Sequence, residues 1–189
     1  LGFIVLLKAL KANGKRVYVI TADHDFKRPD DHCFAMDESG WLEPEKKLRE
    51  DLFDLYYDFG FSEAIAVDRQ HLSYVVQLFD GVRLLALNND GNEDGGRWFE
   101  PSHIEWIKEQ TKKAREDNQM MIAMNHYPLL PGQPIFNIIG GTYQKDAAEV
   151  TKLLADEGVH LCFTGHMHNQ SINVIETEQG NKFYDVCTG

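Results

Sequence analysis

At 189 residues the chain can bury a real core within one domain, and its net charge of −11 excludes a general nucleic-acid-binding surface, which needs clustered Lys and Arg. Three cysteines, Cys33, Cys162 and Cys187, lack framework spacing and exclude a disulfide scaffold. No apolar run approaches membrane-spanning length.

Phe3, Leu6, Leu7 and Leu10 recur at helical spacing, and Asn13-Gly14 supplies a stop. The chain opens inside this helix without an initiator Met or signal peptide and ends on Thr188-Gly189 just past a strand. It therefore reads as a piece of a longer protein, and its compartment is not legible. Residues 16–20 (Arg-Val-Tyr-Val-Ile) read as a short buried strand, followed at once by Asp23-His24-Asp25. Three ionisable groups at a strand's end need partners, although an Asp/His-rich turn is a sufficient account of them in isolation.

Residues 26–43 are irregular and polar, and His32 reads as solvated. Pro44 then opens a helix to about Phe59, with Leu48, Leu52, Phe53, Leu55 and Tyr56 on its apolar face. Two β-rich runs, 72–79 and 82–87, flank Asp80-Gly81 and predict a two-residue hairpin. Ser102 and Glu105 have capping-box spacing and predict a helix from 102 to about 117, with His103 as a surface residue of its first turn. A strand over 119–124 leads into Asn125-His126, and a Pro/Gly-rich loop then leads to a helix closed by Gly158. The apolar run 159–163, in which Cys162 reads as a small core residue, breaks at Gly165-His166-Met167-His168. A last hairpin over 171–177 and 182–186 turns at Gln179-Gly180-Asn181.

Three strands, 16–20, 119–124 and 159–163, each end in a His-bearing turn, and a helix precedes each. They are expected to lie as parallel neighbours, with ligands gathered outside their carboxyl ends. His166 and His168, two apart in a turning backbone, are expected to face one side of the chain. Imidazole and carboxylate without thiolate suit Zn, Mn or Fe and do not choose among them.

In this order the turns resemble the signature of the calcineurin-like metallophosphoesterases. Gly165-His166-Met167-His168 is a full match to one block, His126 fits the single-His block, and Ala22-Asp23-His24-Asp25 is a partial match. The resemblance implies an α/β fold, a four-layer β-sandwich flanked by helices. That fold would be incomplete at both ends, with residues 1–189 forming one catalytic domain. It implies that Asp23, His126 and His166 bind one metal and His168 the other, two divalent or trivalent ions (Mn, Fe or Zn) in the intact protein. His24 would contact the phosphate and protonate the leaving group, with Asp25 orienting it. The substrate would be a phosphorylated small molecule or a phosphodiester, hydrolysed by a water activated between two metals.

Two departures qualify the match. The family's upstream blocks, including the carboxylate that bridges its metals, do not occur in this sequence, so the isolated chain is expected to be inactive. Ala22-Asp23 stands where the family has Gly-Asn, which makes a non-catalytic metal-binding or interaction domain the alternative expectation. A zinc peptidase is more distant, since no His-Glu-x-x-His is present.

Overall fold

The computed structural model describes residues 2–23, 25, 36–37, 40–41, 49–89, 98–133, 135 and 146–189. A mixed seven-stranded sheet runs in the order β3-β4-β5-β6-β7-β9-β8. Its strands are β3 (Ala64–Asp68), β4 (Ser73–Phe79), β5 (Val82–Ala86), β6 (Met120–Met124), β7 (Val159–Thr164), β8 (Ser171–Glu176) and β9 (Lys182–Cys187). β1 (Met36–Asp37) and β2 (Gly40–Trp41) form a separate two-stranded ribbon. Among the described residues the helices are α1 (Gly2–Ala12), α2 (Arg49–Tyr56), α3 (Pro101–Glu116) and α4 (Ala147–Asp156), and none is long and apolar enough to cross a membrane. The expected α/β class, with helices flanking β-structure, is thus what the chain adopts.

Strand alternation divides the core into two faces. Val75, Leu85, Met121, Ala123, Cys162 and Phe183 point to one side, where Ile107 and Ala114 of α3 and Val150 and Leu154 of α4 cover them. Tyr74, Val76, Leu84 and Ala86 point to the other, against Leu7 of α1 and Leu52 and Tyr56 of α2. Cys162 and Cys187 are free and buried.

Pairing across the centre is parallel, with Ala86 level with Met124 and Met124 level with Phe163. The carboxyl ends of β5, β6 and β7 therefore emerge along one sheet edge. Both expected hairpins form, β4–β5 around Asp80-Gly81 and β8–β9 around residues 177–181.

The expected strand over 16–20 is not a strand. Those residues are coil, half-buried from Val17 to Ile20, and the hydrogen bonds that fix Val19 are not those of a β-ladder. Its N–H donates to Phe59 O at 2.9 Å, and its carbonyl accepts the Tyr74 hydroxyl at 2.7 Å. The segment lies against the second core face without joining the sheet. On α1 only Leu7 of the expected apolar face is buried, while Phe3, Leu6 and Leu10 are exposed, because no described element covers them. Of the helix expected from Pro44, the described part is α2 and a 3-10 turn over Tyr57–Phe59; residues 42–48 lie outside the described set. β3, which the sequence reading did not anticipate, adds the outer strand beside β4.

Helix α3 starts before the expected capping box. Its N-cap is Glu100, with Pro101 at the first position, where a fixed φ and a missing N–H suit a helix start. Ser102 therefore sits inside the first turn, and its Oγ lies 3.5 Å from His71 Nε2. His103, expected at the surface, is only 1% exposed. It stacks on His71 with ring centroids 4.5 Å apart and planes 4° apart.

His71 itself is held at both ring nitrogens, Nδ1 by Asp68 Oδ2 at 2.6 Å and Nε2 by Glu100 Oε2 at 3.3 Å. This clasp joins the β3–β4 turn to the start of α3, beside the carboxyl end of β5, where Asn88 Nδ2 donates to His71 O. Burial alone would lower the His71 pKa, but the hydrogen bonds and charges of Asp68 and Glu100 outweigh it and raise it. Burial likewise works to raise Asp68, and its hydrogen bond to His71 overrides this and lowers it.

Two predictions follow from this packing. A raised histidine contributes stability in full below its ordinary pKa of 6.5 and loses it as pH climbs through the raised folded value; a lowered aspartate loses its share only as pH falls below 3.8. Wild type should therefore exceed His71→Phe in urea unfolding by about 1.5–3 kcal/mol near pH 6 and by clearly less near pH 9; a gap that does not change with pH would contradict the clasp. At Gly60, φ is +144° and an added Cβ would meet the pinned Tyr74 ring at 2.4 Å. Gly60→Ala should cost about 2–6 kcal/mol in the same assay, from steric overlap and backbone strain together, and a loss below about 0.5 kcal/mol would show that Tyr74 moves freely.

Candidate metal centre

Two tight turns project side chains from the parallel centre of the sheet. After β6 comes Asn125-His126, and after β7 comes Gly165-His166. The turns are laced together: Asn125 N–H donates to Phe163 O at 3.0 Å, and Gly165 N–H donates to His126 O at 2.9 Å. His166 has φ +64° and His168 φ +50°, left-handed conformations that non-glycine residues seldom adopt. Such strain is held by its surroundings and concentrates at functional sites.

A third turn, 21–25, meets these two. Asp25 N–H donates to Ala22 O, and Asp25 Oδ2 accepts Ala22 N–H at 2.9 Å, so the carboxylate closes its own turn. Its Oδ1 accepts the Tyr56 hydroxyl at 3.3 Å, which ties the turn to α2. Burial, followed by the charge and hydrogen bond of Asp25, pushes the Tyr56 phenol up, so it remains a donor.

Asp23, His126 and His166 converge there. His126 Nε2 lies 3.0 Å from Asp23 Oδ1 and 3.3 Å from His166 Nδ1, and His166 Nδ1 is 3.9 Å from Asp23 Oδ1. All three potential ligand atoms lie within 4.8 Å of one another. Asp23 is buried and the two imidazoles are half-buried, so the group opens toward solvent on its histidine side. Tyr127, fully buried, sets both rings: its centroid is 4.2 Å from that of His166 and 5.0 Å from that of His126, edge-on to the latter. A carboxylate oxygen and two imidazole nitrogens pointing at one another across such distances form a donor set that fits Zn, Mn or Fe.

The other expected site residues stand apart. His168 is exposed and is not part of the cluster. His24 and His32 lie outside the described residues. A second grouping of ligand-type residues, Asp68, His71 and His103, is the clasp described above. Its two rings are stacked in parallel planes, so their lone pairs cannot meet at one ion, and it is a structural tie. The sequence carried no sign of it beyond the bare presence of histidines near β3 and α3.

Asp185, on β9, is a buried group that sequence reading missed. It is fully buried, its Oδ2 accepts the N–H groups of Leu129 and Leu130 at 2.6 and 2.7 Å, and its Oδ1 accepts the Thr164 hydroxyl at 2.5 Å. Burial pushes its carboxyl pKa up, against the opposing pull of these donors.

Comparison with known proteins agrees with this architecture. A dimetal phosphatase from Danio rerio superposes with a TM-score of 0.55 at 11% identity, covering 75% of this chain and 56% of that one. A purple acid phosphatase from yellow lupin (Lupinus luteus) seeds gives a TM-score of 0.53 at 16% identity, covering 89% of this chain and 30% of that one. The chain thus spans little more than half of one of these structures and under a third of the other, and at such identities the likeness is one of fold. No curated protein matches the chain. The family described as Calcineurin-like phosphoesterase matches residues 2–170, most of the length and all three turns of the cluster; the chain belongs to the calcineurin-like phosphoesterases.

Proposed function

We propose that this chain is part of a metal-dependent hydrolase of phosphate esters, a phosphomonoesterase or phosphodiesterase. The observation that carries the reading is the convergence of Asp23 Oδ1, His126 Nε2 and His166 Nδ1 at the carboxyl edge of a parallel sheet. In this reading the three residues hold one metal, and His168 belongs to a second. A bound ion of this kind supplies Lewis acidity toward phosphoryl oxygens and lowers the pKa of water.

The chain's own residues do the rest. Asp23 contributes a full negative charge, which tightens cation binding while repelling an anionic substrate. His24 donates a proton to the leaving oxygen, and Asp25 orients it by locking the backbone of the 22–25 turn. In this reading the substrate's phosphate is the element the site recognises.

A first test measures metal stoichiometry. The chain should bind one Mn²⁺ or Zn²⁺ tightly, and His166→Ala should weaken that binding by about 100-fold or more, since it removes one of three ligands. Two tightly bound ions would mean that further ligands exist in the chain. An intact protein that binds metal yet hydrolyses neither aryl nor alkyl phosphates would favour a non-catalytic binding domain, the reading that Asp23 in place of Asn invites.

A second test separates general acid from ligand. In the intact protein, His24→Ala should slow alkyl phosphate esters by about 10²–10⁴-fold and nitrophenyl esters far less, because nitrophenolate departs without a proton. Metal content should stay unchanged. Equal losses for both esters with metal depletion would assign His24 to the metal instead.

A further inference from the structure

We infer that Asp185 is a positioning residue that fixes the His126 and His166 turns relative to each other; the inference rests on the metal-site reading of that cluster. Asp185 belongs to neither turn, and its hydrogen bonds go to neighbours of the cluster histidines; each of its carboxylate oxygens grips a different turn. Oδ2 takes the backbone N–H groups of Leu129 and Leu130, three and four residues beyond His126. Oδ1 takes the hydroxyl of Thr164, two residues before His166. The same end of β9 reaches the second turn again, through Thr188 N–H to Thr164 O at 2.9 Å and Cys187 Sγ to Gly165 O at 3.3 Å.

The location makes the carboxylate informative. Its neighbours on the same side of β9 are Phe183 and Cys187, both buried, and its partner on β7 is Cys162. Packing alone would be served by an apolar side chain, because burying a carboxylate is costly unless donors surround it. Here three donors surround it, and every one comes from a segment that carries or adjoins a cluster histidine. A carboxylate can accept from backbone and hydroxyl donors in two directions at once, which an aliphatic side chain cannot. One of the turns it joins is also strained, His166 being left-handed. Holding donor atoms to a fraction of an ångström is what an ion's coordination demands, and that precision comes from residues behind the ligands.

The test uses Asp185→Asn and Asp185→Leu in the intact protein, with Zn²⁺ affinity measured by competition against a chelating dye. Secondary structure and urea stability are recorded alongside, as are kcat and KM on nitrophenyl phosphate. Asn keeps an oxygen for Leu129 and Leu130 and an NH₂ for the Thr164 hydroxyl, so its Zn²⁺ affinity should stay within about threefold of wild type. Leu keeps the volume and loses all three bonds, so affinity should fall by about 10–100-fold, with kcat falling and KM nearly unchanged. Should the Leu variant not fold, Thr164→Val removes the Oδ1 tie alone and should still cost affinity. Gly81→Val, which strains the β4–β5 turn (φ +80°) at the opposite edge of the sheet, serves as control and should bind Zn²⁺ like wild type.

A folded Leu variant with wild-type affinity and kcat would overturn the inference, as would an Asn variant that loses as much as Leu. Loss of affinity in Gly81→Val would overturn it too, by showing that instability alone loosens the site. A wild-type protein that binds no Zn²⁺ would instead bring down the metal-site reading on which the inference stands.

Discussion

The parallel register of β6 against β7 is the constraint on which the cluster depends. With Met124 level with Phe163, the two strands end together, and the residues just beyond them are brought side by side. In an antiparallel pair, residues following the two strands would lie at opposite edges of the sheet. Backbone bonds from Asn125 to Phe163 and from Gly165 to His126 then extend the pairing past the strands. The imidazoles thus inherit their separation from the ladder. Asp23 arrives by a different route, on a turn closed by Asp25 and anchored through Tyr56 to α2.

That difference in route has electrostatic consequences. His126 and His166 sit half-open to solvent and ringed by Tyr127, whereas Asp23 is buried beneath them. A buried carboxylate facing two imidazoles concentrates negative charge where a cation would sit, and low surrounding polarity strengthens its pull. On the same sheet edge, His71 takes up two carboxylates and neutralises part of the acidity that a chain of net charge −11 must manage. One edge of the sheet therefore carries two histidine–carboxylate groups with opposite uses, a closed tie and an open donor set.

Much of this was legible in the sequence because hydrophobic runs and turn residues coincide. The runs 119–124 and 159–163 are short, apolar and bounded by His-bearing turns, and both became central strands. Asp80-Gly81 and Gly180 marked their hairpins because those positions need backbone conformations that few other residues adopt. Residues 16–20 misled because an apolar, β-branched run reads the same whether it pairs with a strand or merely packs; Val19 spends its hydrogen bonds on Phe59 and Tyr74. His103 misled because Ser102 mimicked an N-cap, while Pro101 had already begun the helix and turned His103 inward onto His71. Asp185 left no mark at all, since an acid in an alternating strand reads as a solvent-facing position. Its partners lie 21 to 56 residues away in sequence.

Diffraction at the zinc absorption edge from crystals of the Zn²⁺-loaded protein bears most directly on the central claim, that Asp23, His126 and His166 form one metal centre. An anomalous peak should appear at bonding distance, about 2.0–2.2 Å, from one oxygen of Asp23 and one nitrogen each of His126 and His166. A loaded crystal whose anomalous peaks all lie elsewhere, with Asp23 still hydrogen-bonded to His126, would contradict it.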